Sequence, residues 1–283
     1  MRIATIFVRY GVSDYEGAEE KLAETFRRRL PDVERYTVVV DNALGSPFAE
    51  AAVDRAVVSG DNTMREFSAF DIGVKYLGRR IWDFDFVHLA TSAFDTLYTA
   101  YLDRFDSALL RAISDRPACL GHVDCYNEPV EVYSHRSQHW LRTCFVVLPP
   151  SELKALGSLV SVRDRAPFFS GDPSQPFRKD APLSDNYKQL IQDWLVGRDS
   201  GQGVSWHSGF ALTPQTLPGF EQKALSILNE HLFAIRLRAQ GCGLVDVTWL
   251  SNVYPNGSGE SAPRRTDFRR QLAERGADAL VIS

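Results

Sequence analysis

The sequence predicts an α/β protein built on a doubly wound, largely parallel sheet, and three observations lead there. The first ninety residues alternate short apolar runs with amphipathic stretches, the rhythm of β-α-β-α-β. The apolar runs are nearly continuous, as in strands covered on both faces. Each is followed at its carboxyl end by polar residues, where sheets of this kind hold their ligands.

Ile3 to Val8 is the first strand, and Tyr15 to Leu30 places Ala18, Leu22, Phe26 and Leu30 four apart on one helical stripe, closed by Pro31. Tyr36-Thr-Val-Val-Val40 is the second strand. A polar loop leads to Gly60-Asp-Asn-Thr63, which has turn and N-cap chemistry for a helix from about Met64 to Leu77. Asp85 to Ala90 is the third strand. A helix over Leu97 to Ser114 then leads to a strand over Cys119 to Val123. The second half is less regular. Thr143 to Leu148 reads as a strand, Ser151 as the cap of a short helix, and Tyr187 to Val196 as a helix. Phe220 to Gln240 reads as a long helix ended by Gly241 and Gly243, with a strand over Val245 to Leu250. Polar, glycine-containing loops fill Phe168 to Asp185, Gly197 to Gly219 and Asn252 to Pro263, and loops of this length are often functional. One domain over 1–283 is expected, with a ligand-binding half (1–125) and a loop-rich half (126–283).

Composition narrows the function. With 283 residues, 44% hydrophobic, 24% charged and a formal charge of -4, the chain has globular proportions and no dense basic surface for nucleic acid. No apolar run reaches the 18 or so residues of a membrane span. The opening MRIATIFVRYG reads as a strand rather than a secretory signal, so a cytoplasmic location is expected. Cys119, Cys125, Cys144 and Cys242 form no CxxC pair and are expected as reduced thiols.

Several chemistries lack their motifs. No G-x-G-x-x-G follows the first strand, and no Walker A or G-x-S-x-G sequence occurs. His135 and His139 are four apart but lack the H-E-x-x-H arrangement, and polar or hydrogen-bonding roles suit them better than metal binding.

The positive signals lie at the expected strand ends. Asp41-Asn42 can accept from ribose hydroxyls or a base N–H, though the pair also favours turns. The helix entered through Asn62 points backbone N–H groups towards a phosphate, and Arg65 can add a bidentate contact; a well-capped helix with Arg65 paired to a nearby carboxylate is the plainer alternative. Arg9, Thr91, Ser92 and Asp95 lie at the same edge, whereas Asp83 and Asp85 precede the third strand and belong to the other. Trp206-His207 and Trp140 can offer a sugar an indole face and hydrogen bonds, although a Trp is more often a core residue.

These segments, in this order, resemble the nucleotide-sugar half of glycosyltransferases with the GT-A fold, a Rossmann-like architecture. The likeness extends to bacterial polysaccharide-assembly transferases of the rhamnan-synthesis F type. It rests on Val38-Val-Val-Asp-Asn42, Val87-His-Leu-Ala-Thr-Ser92, the polar approach from His135 to the strand ending at Leu148, and the helix through Asn229-Glu-His-Leu232 to Gly241. The resemblance implies transfer of a sugar from a nucleotide-diphosphate donor to a glycan or lipid-linked acceptor in bacterial surface-polysaccharide assembly. It implies Arg9, Asp41, Asn42, Asn62, Arg65, Thr91, Ser92 and Asp95 at the donor and Glu230 as general base, with Asp185 and Asp246 in reserve. His135, Trp140, Asp185, Trp206 and His207 would receive the acceptor. Association with a membrane surface stays open. Thr91-Ser92 stands where such enzymes carry an acidic metal motif, so a metal-independent reaction is favoured over one using Mg²⁺ or Mn²⁺. The competing readings are a non-catalytic nucleotide- or sugar-binding protein of the same fold and a two-metal nucleotidyltransferase.

Overall fold

In the computed structural model, which describes residues 1–13, 15–45, 47–96, 99–198, 209–254 and 267–276, the first apolar run forms β1 (Arg2–Arg9), with Ile3 to Val8 all buried. Helix α1 (Ala18–Arg29) buries Ala18, Leu22 and Phe26. β2 (Glu34–Asp41) then lies parallel to β1, pairing Arg9 with Asp41. The polar loop that follows holds a hairpin absent from the sequence reading, β3 (Ala49–Ala51) and β4 (Arg55–Ser59). Its signal was the short apolar run Ala56-Val-Val58, which is buried.

α2 (Arg65–Leu77) packs closely on β1, because a Cβ added at Gly73 would come within 2.3 Å of Ile6 Cγ2. β5 (Phe86–Thr91) lies on the other side of β1, also parallel. The helix expected over Leu97 to Ser114 is instead a 3-10 turn over Ala100–Arg104 followed by the shorter α3 (Ser107–Ile113). Asp106 is the cause: its backbone is extended and its carboxylate accepts from the Leu109 N–H at 2.8 Å, so a new helix starts there. β6 (Ala118–Gly121) precedes a two-stranded ribbon of β7 (Val123–Val132) and β8 (His135–Leu141). β9 (Phe145–Leu148) runs antiparallel to β5 and β6.

In α4 (Pro150–Leu156), Pro149 is the extended cap and Pro150 opens the helix, which leaves Ser151, the expected cap, one residue inside. α5 (Asp185–Leu195) and α6 (Leu217–Ala239) follow. The strand expected over Val245 to Leu250 is divided into β10 (Gly243–Asp246) and α7 (Val247–Val253). Asp246 makes the break, accepting the Trp249 N–H at 2.9 Å and so capping α7. The last described element is α8 (Phe268–Glu274).

Eight strands form one sheet in the order β10-β6-β9-β5-β1-β2-β4-β3. All neighbouring pairs are parallel except those made by β9 and by β3. The result is an α/β fold with a large, mostly parallel mixed sheet flanked by helices, compatible with a Rossmann-like architecture. Among the described residues no helix is long and apolar enough to cross a membrane, and Cys119 and Cys242 are buried thiols.

The chain divides into two compact units whose limits differ from the halves expected at 125/126. The first comprises 1–123, 141–159 and 236–283, and contains the large sheet. Its core gathers Ile3, Phe7, Phe26, Phe86, Phe105 and Phe145. The second comprises 124–140 and 160–235.

Candidate functional site

From β1 the chain winds outward to β2 and β4 on one side, then returns to place β5 on the other. That reversal puts a topological switch point between the carboxyl ends of β1 and β5, where open α/β sheets leave a crevice for ligands. The ends are level, since Val8 pairs with Thr91, Arg9 with Asp41, and Asp41 with Ser59. Parallel pairing therefore gathers Arg9, Asp41, Asn42, Gly60, Thr91 and Ser92 on one rim of the first unit.

Asp41 organises this rim. It is 4% exposed, and its Oδ1 accepts the N–H groups of Gly11 at 2.9 Å and Ala43 at 3.0 Å, while Oδ2 accepts Arg9 Nε at 2.7 Å. Burial by itself would raise its pKa, but the two amides and the Arg9 guanidinium outweigh it and hold the carboxyl below the usual range. Arg9 also donates to Glu19 Oε2 at 3.1 Å, and Glu19 binds Arg55 through both oxygens. Arg9 and Asp41, both expected to touch a donor, thus hold each other and the turn after β1. That turn presents Tyr10, 58% exposed.

Asn42 connects this turn to the start of α2. Its Nδ2 lies 3.4 Å from Asn62 Oδ1 and 3.3 Å from the Arg65 carbonyl, and its Oδ1 accepts the Asn62 N–H at 3.3 Å. The approach requires Gly60, where a Cβ would fall 1.9 Å from Asn42 Oδ1. Asn62 and Arg65 both adopt positive φ, 51° and 50°. Non-glycine residues in that region cost free energy and persist where the surroundings fix them. The Arg65 Nε is buried and has no partner among the described residues. Thr91 and Ser92 are half-buried, with Ser92 N–H donating to the Val8 carbonyl at 2.8 Å. Asp95 pairs with Lys21 at 2.9 Å.

The other expected residues belong to the second unit. Glu230 is half-buried on α6. Its neighbours fix the helix locally: Asn229 Oδ1 accepts from Ser161 at 2.6 Å and Val162 at 2.9 Å, while His231 is enclosed by aromatic side chains. Trp140 is only 2% exposed, its ring 4.4 Å from Tyr126 and 4.7 Å from His231, so its indole is committed to this core. The Tyr126 hydroxyl lies 2.8 Å from the His231 ring nitrogens, and Tyr187 OH reaches Nδ1. Burial, opposed by Asp124, lowers the His231 pKa to about 3, so the imidazole is neutral at ordinary pH. His135 is exposed on β8, and Asp185 is exposed at the start of α5, where it pairs with Lys188 at 2.7 Å. Trp206 and His207 lie outside the described residues.

The reserve candidate Asp246, in the first unit, is fully buried and paired with Arg275 at 2.8 Å. Among the described residues no three His, Cys, Asp or Glu side chains gather as metal ligands. The sequence places Tyr10 with Arg9 at the carboxyl end of the first strand, where the structure has it, but the sequence reading missed the Glu19–Arg55 support, which joins α1 to a strand it did not foresee. No protein-family model matches the chain, and neither a curated protein nor a solved structure matches it significantly.

Proposed function

We propose that the chain is a glycosyltransferase of the GT-A type, using a nucleotide-diphosphate sugar and a hydroxyl acceptor on a glycan or lipid-linked carrier. One observation carries the reading: the level carboxyl ends of β1, β2, β4 and β5 at a topological switch point, where polar and aromatic groups stay within reach of solvent. Tyr10 offers a face for a nucleobase, and Asn42 with Asn62 offers amide groups for base or ribose. Thr91 and Ser92 offer hydroxyls beside the switch point. The N-terminus of α2 and Arg65 provide positive potential for the diphosphate. Arg9 and Asp41 act one step back, by holding the turn that carries Tyr10.

Transfer needs stabilisation of the departing nucleotide diphosphate as negative charge develops on it, and removal of a proton from the acceptor hydroxyl. The first requirement falls to Arg65 at the start of α2; the second, by the family likeness, falls to Glu230. No step is assigned to a cation. The reading predicts thermal stabilisation by at least one of UDP, GDP, dTDP or CMP, assayed with and without Mn²⁺, and no shift with any of them would overturn it.

A non-catalytic nucleotide- or sugar-binding protein is the second reading, favoured by Thr91-Ser92 in place of an acidic motif. Glu230→Gln separates the two. A transferase loses at least a hundredfold in turnover of its donor while keeping the thermal shift, whereas a binding protein shows no donor turnover in either form.

A further inference from the structure

The switch point lies between two segments of chain, the one that leaves β1 for α1 and the one that leaves β5. An ion pair joins them: Lys21 Nζ, on α1, lies 2.9 Å from Asp95 Oδ2, in the turn after β5. Both backbones are anchored. In the turn, the Phe94 N–H donates to the Thr91 carbonyl at 3.1 Å and the Thr96 N–H to the Ala93 carbonyl at 3.2 Å, with Phe94 itself buried. In α1, Ala18 and Leu22 are buried in the core on either side of Lys21 in sequence. Glu24, three residues on, binds Arg27 and leaves Lys21 to Asp95.

The pair itself is open to water, with the Lys21 side chain 62% exposed and that of Asp95 23%. Such a pair contributes little to folding, because solvent screens it and two side chains must be ordered to make it. It can therefore change partners at small cost. The neighbouring arginines are more firmly committed: Arg9 is held by Asp41 and Glu19, and Arg55 by both Glu19 oxygens. A diphosphate at the switch point carries more than one negative charge, which the single guanidinium of Arg65 leaves partly unbalanced.

We infer that Lys21 is a second ligand of the donor's diphosphate, and that Asp95 is the anion it exchanges for that diphosphate. The inference rests on the reading above for the place of the anion, and deepens it by naming what holds it. Exchange gives the two residues opposite signs. The Lys21 ammonium donates to the phosphate oxygens and strengthens binding. The Asp95 carboxylate competes for Lys21 and, once displaced, repels the phosphates beside it, so it weakens binding. Direct contact of Asp95 with the donor, the expectation from the sequence, gives both residues the same sign.

Lys21→Gln and Asp95→Asn each break the ion pair in the full chain, so a pair that is merely structural predicts the same effect from both. The test is titration calorimetry in low-salt buffer, with inorganic pyrophosphate and with UDP, GDP and dTDP as probes. Exchange predicts affinity about tenfold weaker in Lys21→Gln and about threefold tighter in Asp95→Asn. Lys21→Arg keeps the charge and should bind as the unsubstituted chain does. A Lys21→Gln affinity that holds, or an Asp95→Asn affinity that holds or falls, overturns the inference and leaves the nucleotide reading standing if a nucleotide binds. Opposite signs with pyrophosphate, and no binding of any nucleotide, keep the exchange and overturn the nucleotide reading. No binding of any probe to the unsubstituted chain overturns both.

Discussion

The carboxyl rim of the first unit and the histidine cluster of the second are both polar groups set against apolar walls, and they differ in what those groups have left to offer. Around His231, two tyrosine hydroxyls and an indole close on a neutral imidazole, and the residues are almost entirely buried. On the rim, Asp41 is equally buried, but it uses its bonds to hold a turn whose next side chain, Tyr10, faces solvent. The polar atoms of His231 and Asp41 are satisfied, as the cost of leaving buried groups unpaired requires, whereas the rim also holds the buried Arg65 Nε, unpartnered among the described residues. A site is distinguished by satisfied groups that support accessible ones.

That contrast can be broken most forcefully through His231. Its folded-state pKa of about 3 lies below the value near 6.5 of the unfolded chain. Stability from the neutral imidazole is therefore complete above pH 6.5 and is lost as pH falls towards 3, at up to about 1.4 kcal/mol per pH unit. The expected total is on the order of 5 kcal/mol. His231→Gln should flatten this part of a urea-melt pH series, while the buried His88, whose pKa burial also lowers, contributes alike to both proteins. An unchanged slope would show that His231 is not held neutral by its enclosure.

Asp41→Ala tests the rim. It leaves Arg9 Nε and two amides without their acceptor while Arg9 keeps Glu19, and the expected cost is about 2 kcal/mol in denaturant melts. The nucleotide-dependent thermal shift should fall with it, because the Tyr10 turn loosens. Asp41→Asn keeps the shape and should cost less. Equal melts for Asp41→Ala and the unsubstituted chain would remove the claim that this carboxylate organises the rim.

Tyr10→Ala sharpens the comparison at the smallest scale. An exposed side chain contributes little to folding, so the melting temperature should hold. Stacking on a base is worth about 1–3 kcal/mol, so affinity for the stabilising nucleotide should drop about tenfold or more by titration calorimetry. Loss of stability without loss of affinity would make Tyr10 a structural residue instead.

Much of the central sheet was legible because its strands announce themselves locally. Ile3 to Val8 and Val38 to Val40 are apolar without interruption, and only strands buried on both faces read that way. The failures have two causes. Ala56-Val-Val58 was too short to stand out, and the breaks at Asp106 and Asp246 depend on a carboxylate choosing the backbone amide three residues on, a local bond that competes with the apolar pattern around it. Trp140 shows the same limit for side chains, since an indole suits a sugar platform and a core equally until its neighbours are known.

The sequence by itself determined the alternation of strand and helix, and with it the edge on which Asp41, Asn42, Thr91 and Ser92 would lie, because parallel strands joined by helices must all point their carboxyl ends one way. Tertiary structure alone decided what each of those residues does. Whether Asp41 faces a ligand or the Gly11 amide, and whether Asp246 is a base or half of a buried ion pair, depends on groups 30 and 29 residues away. Hydrogen bonds and ion pairs act over a few ångströms of space, and only the folded chain sets those distances.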